Sequence, residues 1–113
     1  MKLCMIGTGY VGLVSGVCFS DLGNTVYCVD KNKDKIITLN NNKIPIYEPG
    51  LNEIVRKNYL AKRLKFTTNL EMAVKNSDII FICVGTPASK GKNKSANLEY
   101  VYSAAADISK YIN

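Results

Sequence analysis

Short apolar runs alternate with longer segments of helical periodicity along the chain. The runs predicted to form strands are residues 3–6, 25–29, 64–67 and 78–84. In the segments between them, apolar residues recur every three or four positions, which is typical of amphipathic helices. Strands that alternate with helices favour crossover connections between parallel strands. The pattern therefore predicts an α/β fold with a doubly wound parallel sheet.

The same periodicity predicts the bounds of the helices and the residues that face the core. The predicted helices run from about residue 10 to 22, 33 to 41, 51 to 60, 69 to 75 and 97 to 112. In the first helix we expect a core-facing stripe of Val11, Val14, Cys18 and Leu22, and in the last helix one of Leu98, Val101, Ala105 and Ile108. The unbroken apolar run of the last strand predicts burial on both of its faces.

A glycine motif, Gly7-Thr8-Gly9-Tyr10-Val11-Gly12, joins the first strand to the first helix. The spacing G-x-G-x-x-G between a strand and a helix is the fingerprint of a dinucleotide-binding, Rossmann-type fold. Gly7 permits a sharp turn, Gly9 permits close approach of a pyrophosphate, and Gly12 permits close packing of the helix on the sheet. The pyrophosphate would bind to N–H groups at the positive end of the helix dipole.

Two further segments follow predicted strands. Asp30 follows the second strand and lies close to the position, about 20 residues after the glycine motif, where dinucleotide-binding folds carry an acid. Such an acid accepts hydrogen bonds from the ribose of NAD and repels the phosphate of NADP. Val84-Gly85-Thr86-Pro87 follows the last strand. Because parallel strands end at one edge of the sheet, we expect the glycine turn, Asp30 and this segment to line one crevice. Plainer alternatives to a ligand crevice remain. The glycine motif and Asp30 could be a structural turn with an incidental acid, and residues 85–87 could be a simple turn that ends a strand.

Composition limits the class of protein. The chain has 113 residues, which suits one compact domain, and its 47% hydrophobic and 21% charged residues are ordinary for a globular protein. No apolar stretch approaches the roughly 20 residues that span a bilayer. The N-terminus does not resemble a secretory signal. We therefore expect a cytoplasmic protein with no membrane partner.

Charge and cysteine content exclude further classes of site. The net charge is +6, but aromatic residues do not interleave with the lysine clusters at 31–35 and 90–94, so we expect no nucleic-acid partner. The four cysteines form no C-x-x-C pair and the chain has no histidine, which argues against a metal site and against Ser-His or Cys-His chemistry. We expect all four cysteines to be reduced and buried.

Longer segments carry a family resemblance over essentially all of residues 1–113. The segments are IGTGYVGLVSG, CVD, IPIYEPGL, AKRLKFTT and FICVGTP followed by ANLEYV. They resemble the UDP-glucose 6-dehydrogenase family, within the wider UDP-glucose/GDP-mannose dehydrogenases. Such enzymes oxidise C6 of a sugar nucleotide twice, from alcohol to acid, with two NAD. The resemblance implies that residues 1–113 are an incomplete NAD-binding Rossmann domain. Further strands, a central dimerising helix and a substrate domain would follow it.

The resemblance also implies roles for particular residues. The turn from Gly7 to Gly12 would hold the NAD pyrophosphate through main-chain N–H groups, Asp30 matches the ribose-binding acid, and Lys35 matches a basic residue at the adenosine end. The cofactor-binding residues are then Gly7, Thr8, Gly9, Tyr10, Val11, Gly12, Asp30, Lys35, Val84, Gly85, Thr86 and Pro87. The family forms a thioester on a cysteine in a Gly-Gly-Ser-Cys-Phe-Pro-Lys-Asp-like segment. No cysteine of this chain lies in such a segment, so no catalytic residue is assigned.

Several alternatives remain open at this point. The chain could come from a relative that acts on GDP-mannose or a UDP-N-acetyl sugar, or it could be a dinucleotide-sensing regulatory domain or a flavin- or NADP-binding module. For the full-length enzyme we expect UDP-glucose as substrate and a homodimer or higher homo-oligomer. For Tyr47-Glu48-Pro49-Gly50, a fixed turn between two helices is a sufficient explanation.

Overall fold

A computed structural model describes residues 1–85 and 98–112. Over these residues the elements are β1 (Lys2–Ile6), α1 (Tyr10–Asp21), β2 (Thr25–Val29), α2 (Lys33–Asn40), α3 (Leu51–Leu60), β3 (Leu64–Thr67), α4 (Leu70–Lys75), β4 (Ile79–Ile82) and α5 (Glu99–Ser109). The predicted order of strands and helices is confirmed. Most boundaries agree within one or two residues, although β4 is shorter than predicted and α5 ends before residue 112.

The four strands form one parallel sheet in the order β3-β2-β1-β4. This is the order of the first four strands of the doubly wound dinucleotide fold. The carboxyl ends of β1, β2 and β4 meet at one edge, as predicted. There the Gly7 N–H donates to the Val29 carbonyl at 2.8 Å, and the Cys83 N–H donates to the Ile6 carbonyl at 2.8 Å.

Helices cover both faces of the sheet, because successive side chains of a strand point to opposite faces. Helices α1, α2 and α3 pack on one face, where the buried residues include Met5, Val26, Cys28, Leu13, Val17, Leu39 and Val55. Helices α4 and α5 pack on the other, where the buried residues include Cys4, Ile6, Tyr27, Val29, Ala73, Val74, Ala104 and Ile108. Burial on both faces explains the continuous apolar sequences of β1 and β2.

The predicted core stripe of α1 is wrong. Val11 and Leu22 are 65% and 79% exposed, Cys18 is exposed, and Val14 is only partly buried. The face that packs on the sheet instead carries Gly12, Leu13, Gly16, Val17 and Ser20. An added Cβ at Gly16 would lie 2.9 Å from the Cys28 Sγ, so the glycines allow this face to approach the sheet most closely. Apolar residues occur on every side of α1, and periodicity alone could not select the glycine face.

Two predictions of burial near β4 are also wrong. Ile79 and Ile82 are exposed, because β4 pairs only with β1 among the described strands and therefore lies at an edge of the sheet. Its inner residues are better covered, since the Phe81 ring stacks on Phe19 with centroids 5.4 Å apart. In α5, Ala104 and Ile108 face the core, whereas the predicted Leu98 and Ala105 are exposed.

The C-terminus of α1 is closed by contacts within the chain. Gly23 has a φ of +103°, and its N–H donates to the Ser20 carbonyl at 3.0 Å, while the Asn24 N–H donates to the Phe19 carbonyl at 3.3 Å. These two bonds form the Schellman arrangement, in which a glycine in the left-handed region ends a helix. The predicted stop at Gly23 is confirmed.

A buried amide ties this end of α1 to α3 and β3. The Asn58 side chain is fully buried and donates to the Asp21 carboxylate at 3.1 Å and to the Ile54 carbonyl at 2.9 Å. Its oxygen accepts from the Arg63 Nε at 2.9 Å, and the Lys57 ammonium lies 2.6 Å from Asp21. We call these residues (Asp21, Lys57, Asn58 and Arg63) the Asn58 cluster. Every polar atom of the buried amide thus has a partner.

Candidate functional site

Gly7 begins the turn from β1 to α1 and is required there for two reasons. Its φ is +104°, in the left-handed region that favours glycine. A Cβ at this position would also lie 2.6 Å from the Cys83 carbonyl oxygen at the end of β4. The turn therefore rests directly on the neighbouring strand end, as the sequence predicts.

Gly12 completes the turn from the helical side. A Cβ at Gly12 would lie 2.1 Å from the Gly7 carbonyl oxygen and 3.1 Å from the Cys83 Cβ. The first turn of α1 thus packs against the backbone of the glycine turn and against the end of β4. Both contacts fix the direction in which the N-terminus of α1 points.

Gly9 differs from the other two glycines of the motif. Its φ of −73° and ψ of −169° are extended values that any residue adopts. No heavy atom among the residues that the structure describes lies within 4 Å of a Cβ built at Gly9, neighbours in the chain aside. Neither conformation nor packing therefore explains a glycine here. The open space beside it suits a ligand that approaches the backbone closely.

The N-terminus of α1 faces this open space. Gly9 is the N-cap residue and gives the helix no side-chain cap, while its carbonyl accepts from the Leu13 N–H at 2.9 Å. The N–H groups of Tyr10, Val11 and Gly12 precede the first intrahelical bond and so have no partner within α1. They carry the positive end of the helix dipole. The arrangement fits an anionic group such as a pyrophosphate.

Asp30 is bound to the glycine turn. Its Oδ2 accepts from the Thr8 N–H at 3.1 Å and from the Thr8 hydroxyl at 2.7 Å. Its Oδ1 accepts from the Asn32 N–H at 3.0 Å, and the Lys35 ammonium lies 3.8 Å from Oδ2. Because Thr8 is almost fully buried, the acid at the end of β2 is held in a fixed position beside the turn.

These contacts also fix the charge of Asp30. Partial burial, with 16% of the side chain exposed, would by itself raise the pKa of the carboxyl. The hydrogen bonds from the Thr8 hydroxyl and from the Asn32 and Thr8 amides, together with the nearby Lys35 charge, outweigh burial and lower the pKa. Asp30 is therefore ionised at neutral pH. An ionised carboxylate at this position can accept from ribose hydroxyls and would repel a phosphate.

The remaining predicted site residues lie around the same edge. Lys35 is half-exposed in the first turn of α2, whose N-terminus is capped by the Asn32 side chain. Val84 is partly buried against the face covered by α4 and α5, and Gly85 is exposed. The predictions for Thr86 and Pro87 lie outside the described residues.

The structure adds two residues that sequence reasoning missed. Asn32 caps α2 and donates its N–H to Asp30, a role that its place just before a helix could have suggested. Glu48 accepts a hydrogen bond from the Tyr10 hydroxyl, and this contact raises the pKa of Tyr10. No periodicity or motif links Tyr10 to Glu48.

Residues 47–50 therefore do more than turn the chain. The predicted turn is present, since the Leu51 N–H donates to the Glu48 carbonyl at 3.1 Å and Gly50 has a φ of +81°. The Glu48 side chain additionally reaches the first residue of α1. This contact ties the segment before α3 to the first turn of α1.

No group of three His, Cys, Asp or Glu side chains in residues 1–85 and 98–112 could hold a metal ion. Over the same part of the chain, no helix has the length and apolar character needed to cross a membrane.

Comparison with known sequences identifies close relatives. The family model described as the UDP-glucose/GDP-mannose dehydrogenase family, NAD binding domain, matches residues 1–113. UDP-glucose 6-dehydrogenase of Rhizobium meliloti is 55% identical over 108 residues, which cover 96% of this chain and 24% of the relative. UDP-glucose 6-dehydrogenase TuaD of Bacillus subtilis is 53% identical over 112 residues, which cover 99% of this chain and 24% of the relative. The chain thus spans about a quarter of the length of these relatives.

Solved structures share the fold. GDP-mannose dehydrogenase of Pseudomonas aeruginosa, solved as a ternary complex, matches with a TM-score of 0.89 and 40% identity, over 96% of this chain and 24% of that one. UDP-N-acetyl-mannosamine dehydrogenase Cap5O of Staphylococcus aureus matches with a TM-score of 0.90 and 33% identity, over 99% and 26%. A UDP-glucose dehydrogenase of Pyrobaculum islandicum matches with a TM-score of 0.87 and 39% identity, over 95% of this chain and 24% of that one. With the strand order, these matches confirm the predicted Rossmann-type fold.

Proposed function

The chain belongs to the UDP-glucose/GDP-mannose dehydrogenase family as its NAD-binding domain, and we propose that it supplies the cofactor crevice of a UDP-glucose 6-dehydrogenase. The whole enzyme would oxidise UDP-glucose to UDP-glucuronate with two NAD. Because the chain spans about a quarter of its relatives, the activity and the substrate of the whole protein are part of this proposal. So is the assignment of residues 1–113 to the first portion of a larger NAD-binding domain.

One observation carries the cofactor site: the open space beside Gly9 at the N-terminus of α1. Neither the conformation nor the packing of the chain requires a glycine at position 9, and the neighbouring helix N–H groups have no partner within α1. Both features fit a ligand phosphate that lies at van der Waals distance from the backbone. The pyrophosphate of NAD would accept from the N–H groups of Tyr10 and Val11.

The other residues would orient the two ends of the cofactor. Asp30, held by Thr8, would accept from the hydroxyls of the adenosine ribose, and Lys35 would lie beside the same end. Val84 and Gly85, with Thr86 and Pro87, would line the path of the cofactor at the end of β4. When bound, NAD supplies the hydride acceptor, and the residues of this chain bind and orient it.

The sequence identities to relatives support UDP-glucose as the sugar nucleotide. The two curated relatives at 55% and 53% identity are UDP-glucose 6-dehydrogenases. The GDP-mannose and UDP-N-acetyl-mannosamine dehydrogenases of known structure are 40% and 33% identical. Turnover of the full-length protein on each of these sugar nucleotides tests the assignment, and a preference for either of the other two would contradict it.

The remaining alternatives are not favoured. A dinucleotide sensor or a flavin module would not belong to a family of NAD-dependent sugar-nucleotide dehydrogenases. For the full-length protein we propose a homodimer or higher homo-oligomer, which the resemblance implies. The cytoplasmic location stays a prediction.

A calorimetric titration of the full-length protein with NAD, with NADP as control, tests the site. We expect NAD to bind selectively. Asp30→Ala should weaken NAD binding about 10- to 100-fold and relax discrimination against NADP, because a hydrogen bond to a charged group is worth about 1.5–3 kcal/mol. Equal affinities of mutant and parent for both nucleotides, or no heat from a folded parent, would contradict the proposal.

A further inference from the structure

An ion pair joins the residue after Asp30 to the last helix. The Lys31 ammonium lies 3.2 Å from Oδ2 of Asp107 in α5. The Lys110 ammonium lies 3.7 Å from Oδ1 of the same carboxylate. The Lys31 side chain is 83% exposed and that of Asp107 28% exposed, so the carboxylate is the more buried partner. Neither residue belongs to the glycine motif or to the contacts that hold Asp30.

Lys31 lies at the rim of the proposed ribose site. Because the Asn32 N–H donates to Asp30, the chain folds around the Asp30 carboxylate and Lys31 occupies the tip of this turn. The adenosine ribose would place its 2′-oxygen at Asp30, and in NADP that oxygen carries a phosphate. A flexible ammonium beside the site is a group that could neutralise such a phosphate.

Two of the three lysines that follow Asp30, Lys31 and Lys35, are each matched to a carboxylate, whereas the exposed Lys33 has no ion pair within the part of the chain that the structure describes. The Lys35 ammonium lies 3.8 Å from Asp30 itself, and the Lys31 ammonium lies against Asp107. Neither of these two lysines therefore offers an unpaired ammonium to an incoming 2′-phosphate.

We propose that Asp107 is a second determinant of the preference for NAD over NADP, which acts by engaging Lys31 and so withholding its ammonium from the 2′-phosphate. The inference rests on the proposed function, since it requires a ribose site at Asp30. It makes α5, which contributes no residue to the predicted site, a contributor to nucleotide selectivity.

The test compares NAD and NADP affinities of the parent and three variants. Asp107→Asn keeps the shape of the side chain and should raise NADP affinity about two- to fivefold, because an exposed ion pair contributes up to about 1 kcal/mol. NAD affinity should stay within about twofold, because NAD has no 2′-phosphate. In the double variant Asp107→Asn with Lys31→Met, NADP affinity should return close to that of Lys31→Met alone.

Lys110→Met is the matched control, because it removes the other lysine that contacts Asp107. It should leave the ratio of NADP to NAD affinity unchanged. The increase in NADP affinity caused by Asp107→Asn should also become smaller at high ionic strength, since salt screens exposed charges.

Four outcomes would overturn the inference. An unchanged nucleotide ratio in Asp107→Asn, with or without a lower melting temperature, would show that the ion pair only docks α5. Equal gains for NAD and NADP would indicate a general charge effect. A gain in NADP affinity that persists without Lys31 would show that Asp107 does not act through this lysine. A folded parent that binds neither nucleotide would contradict the proposed function and the inference together, whereas the other outcomes leave NAD binding intact.

Discussion

The two ends of α1 satisfy their polar groups in opposite ways. At the C-terminus, Gly23 and Asn24 return hydrogen bonds to the last turn, and Asp21 joins the Asn58 cluster. At the N-terminus, Gly9 provides no side-chain cap, and the first N–H groups have no partner within α1. The end that the chain closes by itself is structural. The end that it leaves open is the one available to a ligand.

The comparison predicts that substitutions at the two ends separate stability from binding. At the C-terminal end, a change should alter the free energy of unfolding without altering NAD affinity. At the N-terminal end the outcome depends on the position, because Gly12 packs against the chain and Gly9 does not.

The largest effect is expected for Gly12→Ala. The added Cβ would lie 2.1 Å from the Gly7 carbonyl oxygen, a backbone atom that cannot move without opening the turn. We expect a loss of about 3 kcal/mol in the free energy of unfolding, at the upper end for overpacking, together with loss of NAD binding. Urea denaturation measures the first and calorimetry the second. A variant of parental stability would show that the turn is not packed as described.

Asn58→Leu should have the next largest effect, at the closed end. It removes a fully buried amide that hydrogen-bonds the Asp21 carboxylate, the Ile54 carbonyl and the Arg63 Nε. Because each such bond contributes about 0.5–1.5 kcal/mol, we expect a loss of about 1–3 kcal/mol in the free energy of unfolding. NAD affinity of the folded variant should match the parent. Lys57→Ala is the control, because it removes an exposed member of the same cluster and should cost less. Weakened NAD binding in Asn58→Leu would contradict the separation of the two ends.

Gly9→Ala and Gly23→Ala form a matched pair with opposite outcomes. Gly9→Ala should leave stability within about 0.5 kcal/mol of the parent and weaken NAD binding about tenfold, because the methyl group enters only the open space. Gly23→Ala should cost about 1 kcal/mol, because its φ of +103° disfavours a side chain, and leave NAD affinity unchanged. Chemical denaturation and calorimetry on both variants decide the matter. If Gly9→Ala binds NAD like the parent, the phosphate does not approach at Gly9.

The smallest effect concerns the pH dependence contributed by Asp30. Its pKa is lowered from the ordinary value of 3.8, so its contribution to stability is present above that value and is lost as the pH falls through the lower, folded-state pKa. In Asp30→Asn the unfolding free energy should therefore fall less steeply in this acid range, with no change in slope near neutrality. Urea denaturation across the acid range measures both. Parallel curves for parent and variant would show that Asp30 makes no such contribution.

The sequence predicts the order of elements and the parallel sheet because both depend on local patterns. Glycine spacing and the acid at Asp30 likewise predict which strand ends meet. The buried face of α1 escapes prediction, because apolar residues surround the helix and the decisive feature is the absence of side chains at Gly12 and Gly16. The exposure of Ile79 and Ile82 depends on which strands lie beside β4, which the apolar run itself does not encode.

The parts of the candidate site that depend on tertiary contacts were equally beyond the sequence. The role of Thr8 in orienting Asp30 requires knowledge that the turn and the end of β2 lie side by side. The contact between Tyr10 and Glu48 requires the path of the segment before α3. The positions of Asp30 and of the glycines were predictable, whereas the hydrogen bonds that hold them were not.

The exposed thiol on α1 makes the chain suited to site-selective chemical labelling. The expectation that all four cysteines are buried is wrong at Cys18, which is exposed, and Cys83 is only partly buried. Burial raises the pKa of Cys4 to about 12 and also raises the pKa values of Cys28 and Cys83, which disfavours the reactive thiolate at those positions. An alkylating dye therefore modifies the folded chain fastest at one position and the unfolded chain at four. The number of dyes attached in a short exposure reports directly how much of a preparation is folded.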